Sequence, residues 1–210
     1  MTILALEFSS ERRSVALARA GVVLAEATET GGRATNAFGM IERALAGAKV
    51  QRDEIATIAV GLGPGSYTGI RAAIALAQGW QLARGIGLTG VPSVEAIAAQ
   101  AQSEEIFGTV NVVVDAQRGE FYLATWQISA AERREISPLK IVAAAEIETR
   151  RRDGEMLVGP ETGVILFPAA AMIARLAPGR AAVAENSALE PVYLRLTNFV
   201  KMPPARSGAA

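Results

Sequence analysis

The sequence reads as an α/β protein, and three observations carry that reading. An apolar run of strand length opens the chain and is followed by two strand-like segments around tight turns. Helix, strand, helix and strand then alternate. Half a chain further on, the opening pattern returns in outline, with an acid again closing the first strand. Alternation of strands and helices around a sheet is the signature of an α/β layer domain.

Ile3-Leu4-Ala5-Leu6 is continuously apolar, which suits a central strand covered on both faces. The polar stretch Ser9 to Arg13 turns the chain into Ser14 to Ala18, Gly21 turns it again, and Val22 to Ala27 completes an antiparallel meander. Helical periodicity covers Asn36 to Lys49, a strand Ile55 to Val60, and a second helix Thr68 to Arg84 after a Gly-Pro-Gly loop. A short strand follows at Gly87 to Val91. The second meander begins at Val110: Val112-Val113-Val114-Asp115, a turn at Gln117-Arg118-Gly119, and a return strand Glu120 to Trp126. Two halves that both start with apolar strand, acid, tight turn and return strand suggest a duplication. Arg133 to Val142 adds an edge strand around Pro138, Glu146 to Arg152 a short charged helix, and Met156 to Val158 another strand. A last helix starts at Pro168 and ends before Pro178. The chain divides at 1–104, 105–195 and a tail, 196–210, whose Pro203 to Gly208 has disorder-prone composition.

Composition excludes much chemistry. Of 210 residues, 21 are Lys or Arg and 21 Asp or Glu, a balance unlike that of a chain that grips nucleic acid by its own positive field. Any RNA partner is therefore shared with another subunit. There is no cysteine and no histidine, which removes disulfides, thiolate nucleophiles, histidine bases and histidine-zinc sites together. The N-terminus lacks the charged n-region of a secretory signal, and no apolar run approaches the roughly 20 residues that cross a bilayer. The expectation is a cytoplasmic protein with no membrane partner.

Gly61-Leu62-Gly63-Pro64-Gly65-Ser66-Tyr67-Thr68-Gly69-Ile70-Arg71 sits between a strand and a helix. Two readings fit it. Ser66 or Thr68 can cap the helix, with glycines serving the turn; or free amides at the helix start can hold an anion, with Gly63, Gly65, Ser66 and Thr68 as its cradle. No lysine follows in the Walker position, and the dinucleotide glycine spacing fails.

Together, Gly63 to Arg71, Gly90-Val91-Pro92-Ser93-Val94-Glu95-Ala96, Val114-Asp115-Ala116-Gln117-Arg118-Gly119-Glu120-Phe121-Tyr122 and Pro191-Val192-Tyr193-Leu194-Arg195 closely resemble the bacterial TsaB (YeaZ) family of tRNA threonylcarbamoyladenosine biosynthesis, over nearly the whole chain. The resemblance implies a two-lobed actin/Hsp70/sugar-kinase (ASKHA, ribonuclease-H-like) fold, here with a reduced second lobe, and a non-catalytic subunit with no cofactor of its own. It implies a metal-bearing paralogous partner, TsaD, and an ATPase, TsaE. ATP and metal are thus expected on those subunits, and tRNA is met through the complex. Two departures stand out: the first strand ends Glu7-Phe8-Ser9-Ser10 rather than Asp-Thr-Ser, and Arg33-Ala34-Thr35-Asn36 stands where the family often has an arginine-histidine pair.

Three candidate sites follow. Glu7 and Asp115 occupy the positions where kinases of this fold use acids with magnesium and phosphate; the alternative is that each bonds the turn after its strand. On the first helix Glu42 is the sole carboxylate, beside Arg43, so no metal site is expected. The helices suggest a partner surface. On the second, Ala72, Leu76, Gly79 and Ala83 form a face read as core, leaving Ile70, Ile74 and Ala77, bordered by Arg71, Gln78, Gln81 and Arg84, as an interface with Tyr67. On the first, Phe38, Ile41 and Leu45 join it. Such a pair forms half of a four-helix bundle with TsaD or with a second copy, or else its second faces pack on the other lobe or simply expose apolar side chains. On this reading Ile74→Arg or Ala77→Arg abolishes pairing without unfolding. Arg150-Arg151-Arg152 reads as a solvated helix end or, in the assembled complex, a contact to tRNA phosphate; Tyr67 and Trp80 read as anchors or core, and Tyr193 with Arg195 as docking the C-terminal segment. The alternative function is a stand-alone ATP-dependent transferase or kinase using Glu7, Asp115 and the Gly63 to Thr68 loop. A peptidase needs a nucleophile-base pair or metal cage that this composition does not provide.

Overall fold

All six residues of the first strand, β1 (Thr2–Glu7), are buried, Leu4 and Leu6 in one core and Ile3 and Ala5 in another. Such a strand needs cover above and below. The structure, a computed structural model that describes residues 1–31, 35–181 and 189–194, supplies both. Arg33, Ala34, Arg195 and the predicted tail lie outside the described residues.

β1 pairs antiparallel with β2 (Arg12–Arg19), and β2 with β3 (Val22–Thr30). On its other side β1 is parallel to β4 (Ile55–Gly61), which is parallel to β5 (Gly87–Val91). The first sheet therefore has the order β3-β2-β1-β4-β5. The second sheet is built from β6 (Gly108–Asp115), β7 (Glu120–Ile128), β8 (Arg133–Ala143), β9 (Met156–Gly159) and β10 (Val164–Ile165). Read from β8, its order is β8-β7-β6-β9-β10, with the same senses: two antiparallel pairings on one side of the central strand, parallel pairings on the other. The suggested duplication is thus present as topology. The copies differ in one crossover. The 18-residue helix α2 (Tyr67–Arg84) connects β4 to β5, whereas residues 160–163 alone connect β9 to β10. That is where the second half is reduced.

The layers alternate. α1 (Ala37–Ala48) and α2 cover one face of the first sheet, α3 (Ser93–Ser103) and α5 (Ala170–Leu176) the other. α3 also covers the second sheet through Val94, Ile97, Ala98 and Ala101, and α4 (Ala144–Arg152) lies on that sheet's far face through Ile147. α1 is capped by Asn36, whose Oδ1 accepts from Gly39 N at 3.1 Å. The amides of Ala170 and Ala171 at the start of α5 donate instead to Ser14 Oγ (2.8 Å) and Glu26 Oε1 (3.1 Å), side chains of β2 and β3 that cap it from outside its own segment.

Three elements differ from the sequence reading. α3 was not expected as a helix, and neither was β10 as a strand. α5 begins at Ala170, with Pro168 two residues before it rather than in its first turn. Residues 189–194 return to the first sheet, where Leu189 enters its core and Val192 N donates to Leu62 O at 2.9 Å. Among the described residues no helix is long and apolar enough to cross a membrane.

Candidate functional site

Glu7 and Asp115 end the central strands of the two sheets, so duplication places them at equivalent points. Each accepts the backbone N–H two residues on: Ser9 N to Glu7 Oε1 and Gln117 N to Asp115 Oδ1, both at 2.7 Å. There the likeness ends. Asp115 is half-buried; its second oxygen accepts from Gln117 Nε2 at 2.6 Å, and its amide meets Glu161 Oε2 at 3.3 Å. Glu161 is raised above the usual carboxylate range by partial desolvation, with the Asp115 and Glu11 charges pushing the same way. Glu7 is wholly enclosed. Its Oε2 accepts from Ser93 Oγ at 2.7 Å, and that hydroxyl accepts from Gly63 N at 3.0 Å. Burial raises the Glu7 carboxyl toward its neutral form, opposed by the bonds from Ser9 and Ser93. Among the described residues the two acids share no hydrogen-bond partner.

The glycine loop is folded onto the same turn. Ser66 N donates to Ser9 O at 2.6 Å, and Ser66 Oγ caps α2 by accepting from Gly69 N at 3.4 Å. Ser66 rather than Thr68 is therefore the cap, and Thr68 is exposed. A Cβ at Gly65 would overlap Ser9 O, and one at Gly69 would overlap Phe8 O. These glycines let two backbones touch, which is one of the two uses that glycine runs at a helix start have. Gly63 is buried with its amide on Ser93. Of the expected cradle, Gly63 and Ser66 have their amides committed inside the chain.

The helix faces require a correction. Ile70, Ile74 and Ala77 lie in the core under the first sheet, together with Ala73, and so do Ile41 and Leu45 of α1. The face read as core is the outer one: Ala72, Gly79 and Ala83 are exposed and Leu76 is half-buried. Both faces have helical spacing, and the isoleucines bury more area than alanine and glycine, so they face inward. Accordingly, Ile74→Arg or Ala77→Arg would put a guanidinium into the core. Of the predicted interface set Phe38 (71% exposed) and Tyr67 (55%) remain outside, joined by Leu82 (89%), which sequence reasoning missed. Tyr67 stands at the start of α2, where Arg71 Nη1 donates to its hydroxyl at 2.9 Å and the Tyr193 ring approaches to 5.4 Å between centroids. Trp80 packs at the edge of the core.

No group of three or more acids is placed to hold a metal among the described residues. Glu42 is engaged by Arg52, so α1 offers no free ligand for one. Arg150 is held by Glu146 (3.0 Å) and Glu155 (2.8 Å), and Arg151 by Glu148 (2.7 Å). The basic triplet is thus largely paired on its own helix and by Glu155 just beyond it.

A family model described as TsaD, tRNA N6-adenosine threonylcarbamoyltransferase, matches residues 12–157. The chain belongs to this family. Its relatives include proteins named TsaB or YeaZ. It is 28% identical to Bacillus subtilis tRNA threonylcarbamoyladenosine biosynthesis protein TsaB over 70% of this chain and 64% of that protein. It is 33% identical to Escherichia coli TsaB over 60% of this chain and 55% of that one. The matched stretches thus span between about half and two thirds of these relatives' length. A crystal structure from Pseudomonas aeruginosa, described as similar to peptidase YeaZ, superposes with a TM-score of 0.75 at 27% identity, covering 92% of this chain and 99% of that one. The shared fold is that of two mixed sheets with helices described above.

Proposed function

We propose that this TsaB-like chain is a non-catalytic scaffold in tRNA N6-threonylcarbamoyladenosine formation in the cytoplasm, pairing with a TsaD paralogue and helping to recruit a TsaE ATPase. The observation that carries the reading is the exposed outer face of α1 and α2, where Phe38, Leu82 and Tyr67 stand clear of the chain's own core. Exposed aromatic and aliphatic side chains around small residues suit a helix-bundle contact with a related subunit. ATP, metal and tRNA are then met on or through the partners, and the same face serves a homodimer when the partner is absent.

The test is sedimentation of the protein alone and with its cognate TsaD, alongside a threonylcarbamoyl-transfer assay of the mixture and of each protein. The expected result is a heteromer that is required for transfer and is lost in Leu82→Arg, whose urea midpoint stays at the wild-type value because residue 82 is exposed. Unchanged complex mass in that variant would remove the α2 face from the interface. Transfer or ATP turnover by this chain alone, lost in Asp115→Ala, would instead favour the stand-alone transferase. That alternative asks Glu7 to meet a ligand, whereas its carboxyl is enclosed by Ser9, Ser93 and Gly61.

A further inference from the structure

Glu7 has no task in the scaffold reading, yet several segments of the fold meet at its carboxyl. Its two oxygens reach elements that are distant in sequence: Oε1 to the β1–β2 turn through Ser9 N, Oε2 to the first residue of α3 through Ser93 Oγ. Ser93 extends the chain of bonds to the glycine loop in both directions, accepting from Gly63 N at 3.0 Å and donating its own amide to Gly63 O at 2.7 Å. The loop closes the circuit when Ser66 N returns to Ser9 O at 2.6 Å. Three glycines are needed for this closeness. A Cβ at Gly61 would overlap Glu7 Oε2, one at Gly65 would overlap Ser9 O, and one at Gly69 would overlap Phe8 O.

We propose that Glu7 is a positioning residue, a latch that holds the starts of α2 and α3 to the β1–β2 turn and thereby fixes the exposed end of α2 on which Tyr67 and Tyr193 meet. A shorter aspartate has one methylene less with which to span from turn to α3, which gives the Glu7 in this chain a physical reason. The groups facing the carboxyl from the turn, β4, the loop and α3 are hydroxyls and backbone, and no charged side chain contributes to its shift. Burial thus disfavours its charged form, while the bonds donated by Ser9 and Ser93 act the other way. Glutamine should replace Glu7, because its oxygen can accept from Ser9 N while the Ser93 hydroxyl rotates to accept from the amide.

The latch stands on the chain alone, and only its consequence for pairing rests on the scaffold reading. Hydrogen exchange at the Gly63, Ser66 and Gly69 amides should therefore be compared in wild type, Glu7→Gln, Glu7→Ala and Ser93→Ala, the last keeping the fold if the alanine at 7 does not. Exchange should stay within about twofold of wild type in Glu7→Gln and rise on the order of tenfold in the two alanine variants. The pH dependence adds a second readout. A carboxyl raised above its unfolded value of 4.5 contributes stability that is complete below that value and is lost as pH rises through the folded value. Wild type should thus fall progressively below Glu7→Gln in urea midpoint as pH rises above 4.5, then level off. Unchanged exchange in a folded Glu7→Ala would overturn the latch. So would unchanged exchange in Ser93→Ala. Sedimentation with TsaD completes the set: Glu7→Gln should pair as wild type does and Ser93→Ala more weakly. If wild type itself does not pair, the scaffold reading fails while exchange and the urea midpoints still decide the latch.

Discussion

At the scale of single residues, glycine separates what the chain needs for closure from what it leaves open. Gly69 lies in the first turn of α2 against Phe8 O, and Gly79 lies nearly three turns further on with nothing within 4 Å of a Cβ. Gly69→Ala must force two backbones apart and is expected to lose about 1–3 kcal/mol, the range for overpacking a close contact. Gly79→Ala in an exposed helix interior should gain about 0.5–1 kcal/mol by restricting the unfolded chain. Urea unfolding of both variants gives the comparison, and a loss at Gly79 would show that the outer face of α2 is not free in the isolated chain. The sequence revealed that the loop was glycine-rich and stood before a helix. It did not reveal which carbonyls the glycines approach, because Phe8 and Ser9 are far from them along the chain. The same applies to the acids. That Glu7 and Asp115 close equivalent central strands was legible, but their difference in enclosure depends on Ser93, a residue of a helix that the pattern did not disclose.

At the scale of elements, strands were more legible than helices. β5 runs over the expected residues, and β1, β2 and β4 extend the expected cores by one to two residues at their ends. Alternate burial or a bounded apolar run identifies a strand because its side-chain period is short. Helix α2 is apolar on nearly every side, so spacing alone left its inner face undetermined, and side-chain size decided it. α3 was missed for a related reason. Ser93, Val94, Ala96, Ile97, Ala98, Ala99 and Ala101 are all buried, and a helix covered over most of its circumference carries only a weak amphipathic period. What holds that helix at its polar edge is Glu95. Arg180 Nη2 meets both its oxygens at 2.5 and 2.6 Å, while Arg133 of β8 lies 3.9 Å away and stacks over Trp126 at 5.9 Å. Burial lowers the Arg133 guanidinium, with the Glu95 charge acting against it and the Arg180 charge acting with the burial. Glu95→Ala leaves two half-buried cations facing each other and should lower stability by about 2 kcal/mol, within the range for hydrogen bonds to charged groups. Glu95→Gln, which keeps an acceptor, should lose less. Equal stability of all three proteins in urea would reduce this contact to a surface ion pair.

At the scale of the whole molecule, α3 couples the two sheets. Ala96 and Ala99 belong to the core shared by β1, β2, β4 and α5, whereas Val94, Ile97, Ala98 and Ala101 belong to the core of β6, β7 and β9. The fifth strand of each half leads into a helix: α3 lies between the sheets, and α5 packs back on the first sheet beside α3. Neither half has a complete apolar face without the other's helix. Cooperativity should follow, because removing either sheet exposes one side of α3. The two tryptophans provide a separate probe on each side: Trp80 of α2 packs on the first core, and Trp126 of β7 is buried in the core of the second sheet. Trp80→Phe and Trp126→Phe each leave one reporter. Unfolding followed in each variant by its remaining tryptophan, and by circular dichroism, should give a coincident midpoint for the two probes within that variant. Ile97→Ala, introduced into both backgrounds, should lower the midpoint of either probe by the same amount at unchanged slope, for a loss of about 2–5 kcal/mol from the cavity it leaves. If Ile97→Ala shifts only the Trp126 transition, or if two midpoints appear before it is introduced, then α3 belongs to the second sheet alone, and the halves unfold as independent units.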